Sequence, residues 1–275
     1  MSRQVKRRPD VARLVRLTLV RLTVVADLTF AASFAVGQTG GRTQSDSQNS
    51  ISTQLWANVV LEYPKGKSSL FELDIEPKAQ TSEGDKWRSL DLTPLVEYYP
   101  ARWLDLEAEL AVGRTHQFEG VNTWEVTPRL GFRLNILSSL REEREAPLAN
   151  VFGRVRLSTL VRFEYRNFYY SDSTPASHQW RFRARLESKV GINHVDLSLD
   201  RTLYGIADLE GFVPLGGEVS ERFASKVRAR VGLGYRFGYQ CRLEVLYIRD
   251  SHRATKESPF GTDANILDVK VKLFF

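Results

Sequence analysis

The feature that most constrains the fold is a two-residue period that continues through the chain after residue 54. In 70–78, for example, Phe71, Leu73 and Ile75 alternate with acidic residues, and 180–190 alternates in the same way. Successive side chains of a β-strand point to opposite faces, so this pattern predicts strands. Eleven segments of about ten residues show it: 54–63, 70–78, 89–99, 104–113, 124–136, 154–166, 180–190, 202–212, 223–237, 241–249 and 265–275. We therefore predict one all-β domain over 54–275.

Alternation alone is compatible with a soluble periplasmic β-sandwich and with a transmembrane β-barrel, which differ in the face that meets water. The end of the chain favours the barrel. Val271, Leu273 and Phe275 alternate with Lys270, Lys272 and Phe274, and the final residue is aromatic. This pattern resembles the C-terminal signal that the barrel assembly machinery reads by strand pairing. We expect a single antiparallel transmembrane β-barrel in the bacterial outer membrane, in contact with outer-membrane lipid.

The strand count is predicted from the rule that these barrels have an even number of strands. Bacterial outer-membrane barrels have an even number of strands, whereas eleven segments are visible. We therefore expect twelve strands, with ten as the alternative. Pro94 and Pro128 lie inside strand-like runs, where each removes a ladder hydrogen bond. We expect β-bulges or strand ends at both prolines.

The first 37 residues have the plan of a secretory signal peptide. Basic residues such as Arg7 and Arg8 precede an apolar stretch at 22–36, and small residues follow. This leader holds +5 of the formal net charge of +6, which leaves +1 for the rest of the chain. The basic balance is therefore no evidence for nucleic-acid binding, and no nucleic-acid partner is expected. Residues 38–53 are rich in Gly, Ser, Thr and Gln and predict a flexible polar linker.

Charges on the predicted inward face divide along the chain. The first half supplies an acidic wall: Glu72, Asp74, Glu76, Asp91, Glu97, Asp105, Glu107, Glu109 and Glu125. The second half supplies a basic wall: Arg129, Arg133, Arg154, Arg156, Arg162, Arg181, Arg183, Arg185, Lys226, Arg228, Arg230 and Arg236. A narrow barrel would bring the walls together and fill the lumen with ion pairs. A wider barrel would leave a hydrated pore crossed by an electric field, which orients dipolar solutes and attracts anions to the basic wall.

The function predicted from this lumen is a narrow channel for small or anionic solutes, or else a filled structural barrel. Enzyme signals are weak. His178 lies near Asp172 in a predicted external loop, so an outer-membrane enzyme with a rim site at Asp172 and His178 is the alternative. No spacing of His or Cys predicts a metal site, and no phosphate-binding glycine motif is present. We expect no enzymatic activity, no cofactor and no metal.

Three stretches carry a family resemblance: LEYPKGKSSLFELDIEPK at 61–78, LVRFEYRNFYY at 160–170 and HQWRFRARLESKV at 178–190. They resemble domain-of-unknown-function family 2490, an uncharacterised group of exported bacterial proteins. The likeness extends from about residue 54 to the end and rests mainly on the Arg-aromatic-Arg strand pattern. It implies an outer-membrane β-barrel and supplies no catalytic residue.

Overall fold

The computed structural model describes residues 51–82, 86–117, 120–136, 154–215, 226–252 and 261–275, without the side chains of 252 and 261–263. The predicted signal peptide at 1–37 and most of the predicted linker at 38–53 lie outside these ranges. Within them the chain forms eleven strands: β1 Ser52–Lys65, β2 Ser69–Gln80, β3 Trp87–Ala101, β4 Leu104–Gln117, β5 Thr123–Asn135, β6 Val155–Tyr170, β7 Ser177–Gly191, β8 Thr202–Leu215, β9 Lys226–Gly238, β10 Cys241–His252 and β11 Gly261–Phe274. Each strand corresponds to one segment of alternating sequence.

The strands form one closed barrel in which neighbours in the ring are neighbours in the chain. Ten of the eleven strand pairings are antiparallel. The eleventh closes the ring, because β1 pairs in parallel with β11 from Ser52 opposite Ala264 to Glu62 opposite Phe274. The expectation of twelve or ten strands is therefore wrong. The even-number rule assumes antiparallel closure, whereas a parallel seam closes a ring of eleven without a further strand. A sandwich of two separate sheets is also excluded as the architecture of these residues.

Because the number of strands is odd, the first strand begins at one end of the barrel and the last strand finishes at the other. The turn end is the end at which β1 and β11 finish, and it carries short turns after β1, β3 and β9. Gly66 adopts a φ of 71° in the turn after β1, a conformation that glycine accepts without steric cost. The loop end is the opposite end, where β1 begins at Ser52. It carries the connections from β2 to β3, β4 to β5, β6 to β7, β8 to β9 and β10 to β11.

The two prolines do not interrupt their strands. Pro94 lies inside β3 opposite Leu73, and β3 keeps the same register with β4 on both sides of it. Pro128 lies inside β5 opposite Leu110, and β5 keeps its register with β6. The expected bulges are absent at both positions. Each proline removes one donor, and the paired residues on either side hold the register.

The alternation places apolar side chains outside and charged side chains inside. Leu130 is 66 % exposed and Val231 is 57 % exposed, whereas Glu164 and Glu210 on the inner face are fully buried. Exposed aromatic residues lie towards both ends of the outer surface, with Tyr63, Tyr98, Trp103 and Tyr239 at the turn end and Trp124, Tyr169 and Trp180 at the loop end. Soluble proteins rarely expose apolar surface of this extent.

Candidate functional site: the charged lumen

The barrel encloses a cavity of about 680 Å³ that is lined by inward side chains from all eleven strands. Its lining includes Arg166 and Lys226 near the loop end and Glu62, Arg156 and Lys272 near the turn end. The same cavity therefore reaches both ends of the barrel. The connection between β7 and β8 folds towards it at the turn end, where Leu197 is buried and joins the lining.

Most residues of the predicted basic wall line this cavity. They are Arg129, Arg133, Arg156, Arg162, Arg181, Arg183, Arg185, Lys226, Arg228 and Arg230. Arg236 is buried on the inner face of β9, 3.9 Å from Asp200. Arg154 is placed differently from the prediction. It precedes β6 at the turn end, outside the cavity lining, where its guanidinium donates to the carbonyl oxygen of Ile192 at 3.1 Å.

Most residues of the predicted acidic wall also line the cavity: Glu72, Asp74, Glu76, Asp91, Glu97, Glu109 and Glu125. Asp105 accepts a hydrogen bond from Asn135 at 2.9 Å, and Glu107 accepts one from Arg162. Glu125 differs from the other acids because it lies on β5 and pairs with Arg166 of β6 at 2.8 Å. It therefore belongs with the strands of the basic wall.

Because ring order equals chain order, the two halves of the chain become two arcs of the lumen. The acidic arc is formed by β1–β4 and has nine inward acids and one base: Glu62, Glu72, Asp74, Glu76, Asp91, Glu97, Asp105, Glu107, Glu109 and Lys78. The basic arc is formed by β5–β11. It has eight inward acids, Glu125, Glu164, Glu187, Asp208, Glu210, Glu244, Asp250 and Asp268, and sixteen inward bases, Arg129, Arg133, Arg156, Arg162, Arg166, Arg181, Arg183, Arg185, Lys189, Lys226, Arg228, Arg230, Arg236, Arg242, Lys270 and Lys272. The surplus of negative charge in one arc equals the surplus of positive charge in the other.

Most ion pairs in the basic arc form along the wall between adjacent strands, and Lys189 of β7 reaches Glu244 of β10 at 3.5 Å past two intervening strands. Glu210 of β8 accepts from Arg183 of β7 and, at 2.6 Å, from Arg230 of β9. Glu164 of β6 similarly lies between Arg181 of β7 and Arg129 of β5. Buried carboxylates require such partners, because an isolated charge is strongly disfavoured away from water. These contacts neutralise charge locally.

At one border between the arcs, an inward-facing glycine lets a side chain reach past its neighbouring strand. Arg162 of β6, Gly131 of β5 and Glu107 of β4 lie in line across three strands. Arg162 crosses the glycine to bond Glu107 and contacts Glu109 at 2.5 Å. A Cβ atom on Gly131 would lie 2.7 Å from Arg162 Cγ. We call this arrangement a glycine crossing.

A second glycine crossing lies within the basic arc. Tyr204 of β8 covers Gly234 of β9, and its hydroxyl donates to Glu244 Oε1 of β10 at 2.8 Å. The alternation marks both glycines as inward positions, but the sequence does not show which side chain covers each of them. Inward glycines within a run of charged residues are the signal that would have indicated such contacts.

An apolar cluster fills part of the lumen beside β8, β10, β11 and β1. Its buried members are Trp56, Leu197, Tyr204, Ile206, Leu246, Ile248, Ala264 and Ile266. Lys78 and Arg228 approach the Trp56 ring to 4.6 and 4.9 Å from its centroid, and Arg181 lies 5.0 Å from the Phe212 centroid. The charge-based reading of the sequence missed these aromatic residues, although their even-numbered positions on β1 and β8 place them inside.

Within the acidic arc, the acids of β2 have fewer partners than Glu97 and Glu109, which contact Arg133 and Arg129. Glu72 makes no ion pair within the described ranges, and Asp74 accepts only from Asn58, at 3.2 Å. Glu76 and Asp91 share the single base Lys78, each at 2.6 Å. At the seam, Lys272 of β11 contacts Glu62 of β1 at 3.3 Å. The negative surplus of this arc is therefore presented to the lumen.

At the rim, His178 and Asp172 bond different partners. His178 Nδ1 lies 2.8 Å from Asn167 Oδ1, and its ring stacks on Tyr165. Asp172 instead accepts from the Thr174 hydroxyl at 2.8 Å and from the Thr174 amide. These hydrogen bonds lower the pKa of the Asp172 carboxyl, because they stabilise its ionised form. No group of three or more His, Cys, Asp or Glu in the described ranges has a metal-binding arrangement.

The C-terminal residues of the predicted assembly signal belong to the closing strand. Val271 pairs with Leu243 of β10 and with Val59 of β1, and Leu273 pairs with Cys241 and Leu61. Phe275 is 46 % exposed, and its amide donates to the carbonyl oxygen of Glu62 at 3.0 Å. This strand therefore forms both the last antiparallel contact and the parallel seam. In the part of the chain that the structure describes, no helix is long and apolar enough to cross a membrane.

The fold and lumen define a class of protein: a closed β-barrel with an apolar outer surface and a charged interior. The chain belongs to the family described as protein of unknown function (DUF2490), whose model matches residues 53–259. This confirms the family indicated by the three sequence stretches. No significant match was found among curated proteins or among solved structures.

Proposed function

We propose that this protein is a bacterial outer-membrane β-barrel that forms a narrow, hydrated channel for small solutes. The observation that carries the proposal is the lumen: one charged cavity reaches both ends of a barrel whose outer surface is apolar. The proposed role is passive passage, with no catalytic step, cofactor or metal.

The outer surface supports membrane insertion. Lipid-facing barrels have an apolar band flanked by aromatic residues at both interfaces. Here exposed side chains such as Leu110, Leu130 and Val231 lie between aromatic residues at the two ends. Closure supports it further, because every strand has a partner on both sides and a membrane-spanning backbone must be fully paired. In this proposal β11 is the strand that the assembly machinery recognises, with the turn end in the periplasm.

The pattern of ion pairs supports a channel over a filled structural barrel. A filled lumen requires acids and bases to meet across its centre, whereas Glu210 and Glu164 pair with arginines of the adjacent strands along the wall. The equal and opposite surpluses of the two arcs also bear on ion preference. A lumen with balanced charge gives neither sign a large advantage, so we propose weak ion selectivity instead of a channel for anions.

Two experiments test the proposal in sequence. Outer membranes containing the protein are first washed with carbonate and with urea, and retention in the pellet together with heat-modifiable migration is expected of an inserted barrel. Extraction by either wash would contradict membrane insertion.

The refolded protein is then studied in a planar bilayer under a KCl gradient. Steady single-channel openings with a reversal potential close to zero are expected. A folded barrel that never conducts would contradict the channel, and a strong anionic reversal potential would show that the basic arc dominates permeation.

A further inference from the structure

We infer that the channel favours small zwitterions, solutes that carry an ammonium group and a carboxylate with no net charge. This inference rests on the proposed channel function and names its solute class. It is carried by two rows of charge on opposite sides of one cavity. The acid ladder is Glu72, Asp74 and Glu76 on β2, and the arginine ladder is Arg181, Arg183 and Arg185 on β7.

The ladders face each other across the lumen. Four strands separate β2 from β7 on one side of the ring, and five strands separate them on the other side. All six side chains line the same cavity, and each ladder occupies alternate positions of one strand. Among the residues that the structure describes, no ion pair joins one ladder to the other, and the cavity that both ladders line has a volume of about 680 Å³.

Both ladders retain the ability to bind an outside group. Glu72 has no ion-pair partner in the described ranges, and the Asp74 carboxylate has one amide donor from Asn58. Arg185 bonds Glu187 at 2.6 Å and Asp208 at 2.9 Å through one nitrogen. A guanidinium has five donors in a planar fork, so further donors remain for a carboxylate in the cavity.

The arrangement discriminates by the distribution of charge in the solute. An anion is attracted by one ladder and repelled by the other, and a cation meets the same opposition reversed. An uncharged polyol gains little from either ladder. A zwitterion can direct its ammonium group towards β2 and its carboxylate towards β7. Protein groups of opposite charge then replace the water around both of its charges.

The test measures swelling of proteoliposomes that contain the full-length mature barrel. L-Glutamine is compared with L-arabinose, an uncharged solute of similar size, and with L-glutamate and L-lysine, which carry one net charge. We expect glutamine to enter about fivefold faster than arabinose and faster than either charged amino acid, since fields in charged clefts raise entry rates by about tenfold or more.

The decisive variant is the double substitution Glu72→Gln and Asp74→Asn, which removes two weakly partnered charges from the acid ladder. The glutamine-to-arabinose ratio should fall towards one, and the reversal potential in KCl should move towards anions. Asp172→Asn, an acid-to-amide change on the outer rim, is the matched control and should leave the ratio unchanged. Heat-modifiable migration confirms that each variant is folded.

The outcomes separate this inference from the channel proposal. Entry of arabinose and glutamine at equal rates in the unaltered protein would overturn the preference for zwitterions and leave the channel standing. An unchanged ratio in the double variant would overturn the role of the acid ladder. Absence of both swelling and conductance in folded protein would overturn the channel and the inference together.

Discussion

In the basic arc, Glu164 and Glu210 lie between arginines of both neighbouring strands and are closed to solvent. In the acidic arc, Glu72 and Asp74 line the cavity with one amide donor between them. Some charges of the lumen thus hold strands together, among them Glu107 and Glu109 of the acidic arc, which pair with Arg162, whereas Glu72 and Asp74 on β2 have few partners. The comparison teaches that two arcs with equal and opposite surpluses of charge use their individual charges differently. Acids buried between arginines stabilise the barrel, and the two acids of β2 are the ones that the proposed channel would present to solutes.

The largest effect is expected from breaking the most buried pair of the basic arc. Glu210→Gln leaves Arg183 and Arg230 without their shared carboxylate inside the wall. The free energy of unfolding should fall by about 3 to 5 kcal/mol, the usual cost of an uncompensated buried charge. Urea unfolding in lipid vesicles, followed by tryptophan fluorescence, measures it. A loss below about 1 kcal/mol would mean that water already solvates these guanidinium groups.

The next effect concerns the glycine crossing at the border between the arcs. A side chain at position 131 would collide with the carbonyl oxygen of Val161 and with the Arg162 side chain, so Gly131→Val should lower the free energy of unfolding by about 2 to 3 kcal/mol. The matched control is Gly205→Val, because a Cβ atom at this strand glycine meets nothing within 4 Å. Equal losses in the two variants, measured by the same urea titration, would show that strand glycines matter here for backbone reasons alone.

A smaller effect is expected at the second glycine crossing. Tyr204→Phe keeps the ring over Gly234 and removes only the hydroxyl that donates to Glu244 at 2.8 Å. The expected loss is about 1.5 to 3 kcal/mol, typical of a buried hydrogen bond to a charged group. Tyr247→Phe is a suitable control, since its hydroxyl bonds Asn265 on the exposed outer surface. If Tyr247→Phe lowers the free energy of unfolding by the same amount, burial does not strengthen the Tyr204 hydrogen bond.

The smallest effect is expected in the acidic arc. Glu72→Gln changes a carboxylate with no ion-pair partner in the described ranges, so the free energy of unfolding should change by less than about 0.5 kcal/mol. Paired with Glu210→Gln in the same titration, this acid-to-amide exchange sharpens the contrast between the arcs. A loss above about 2 kcal/mol would show that Glu72 takes part in a stabilising network.

Much of the fold follows from the two-residue period. The alternation of Phe71, Leu73 and Ile75 with acids is enough to place β2 and its two faces, and the same holds for the other ten strands. The count was wrong because a sequence shows strands one at a time and does not show how the first meets the last. Only the pairing of Ser52 with Ala264 reveals a parallel seam.

The lumen was less accessible to sequence reasoning than the fold. The two-residue alternation indicates that Arg162 and Glu107 both point inward, but 55 positions separate them in the sequence. Their contact also depends on the absence of a side chain at Gly131. The alternation of the strands also does not predict Leu197, which reaches the cavity from the connection after β7. Contacts between non-adjacent strands depend on side-chain length and on the space around each side chain. The alternating pattern of the sequence reports neither of them.

The parallel seam determines how the two termini of the barrel can be used in engineering. In an even-stranded barrel the first strand begins at the end where the last strand finishes, so a short peptide can join them and new termini can be opened elsewhere. Here Ser52 begins β1 and Phe274 ends β11, and because these two strands pair in parallel, the two residues lie at opposite ends of the barrel. A linker between them would have to run along the outside or through the lumen. Circular permutation with a short linker is therefore not available to this barrel, and epitope tags attached at Ser52 and after Phe275 would lie at opposite ends of it, which in the proposed outer-membrane barrel are opposite faces of the bilayer.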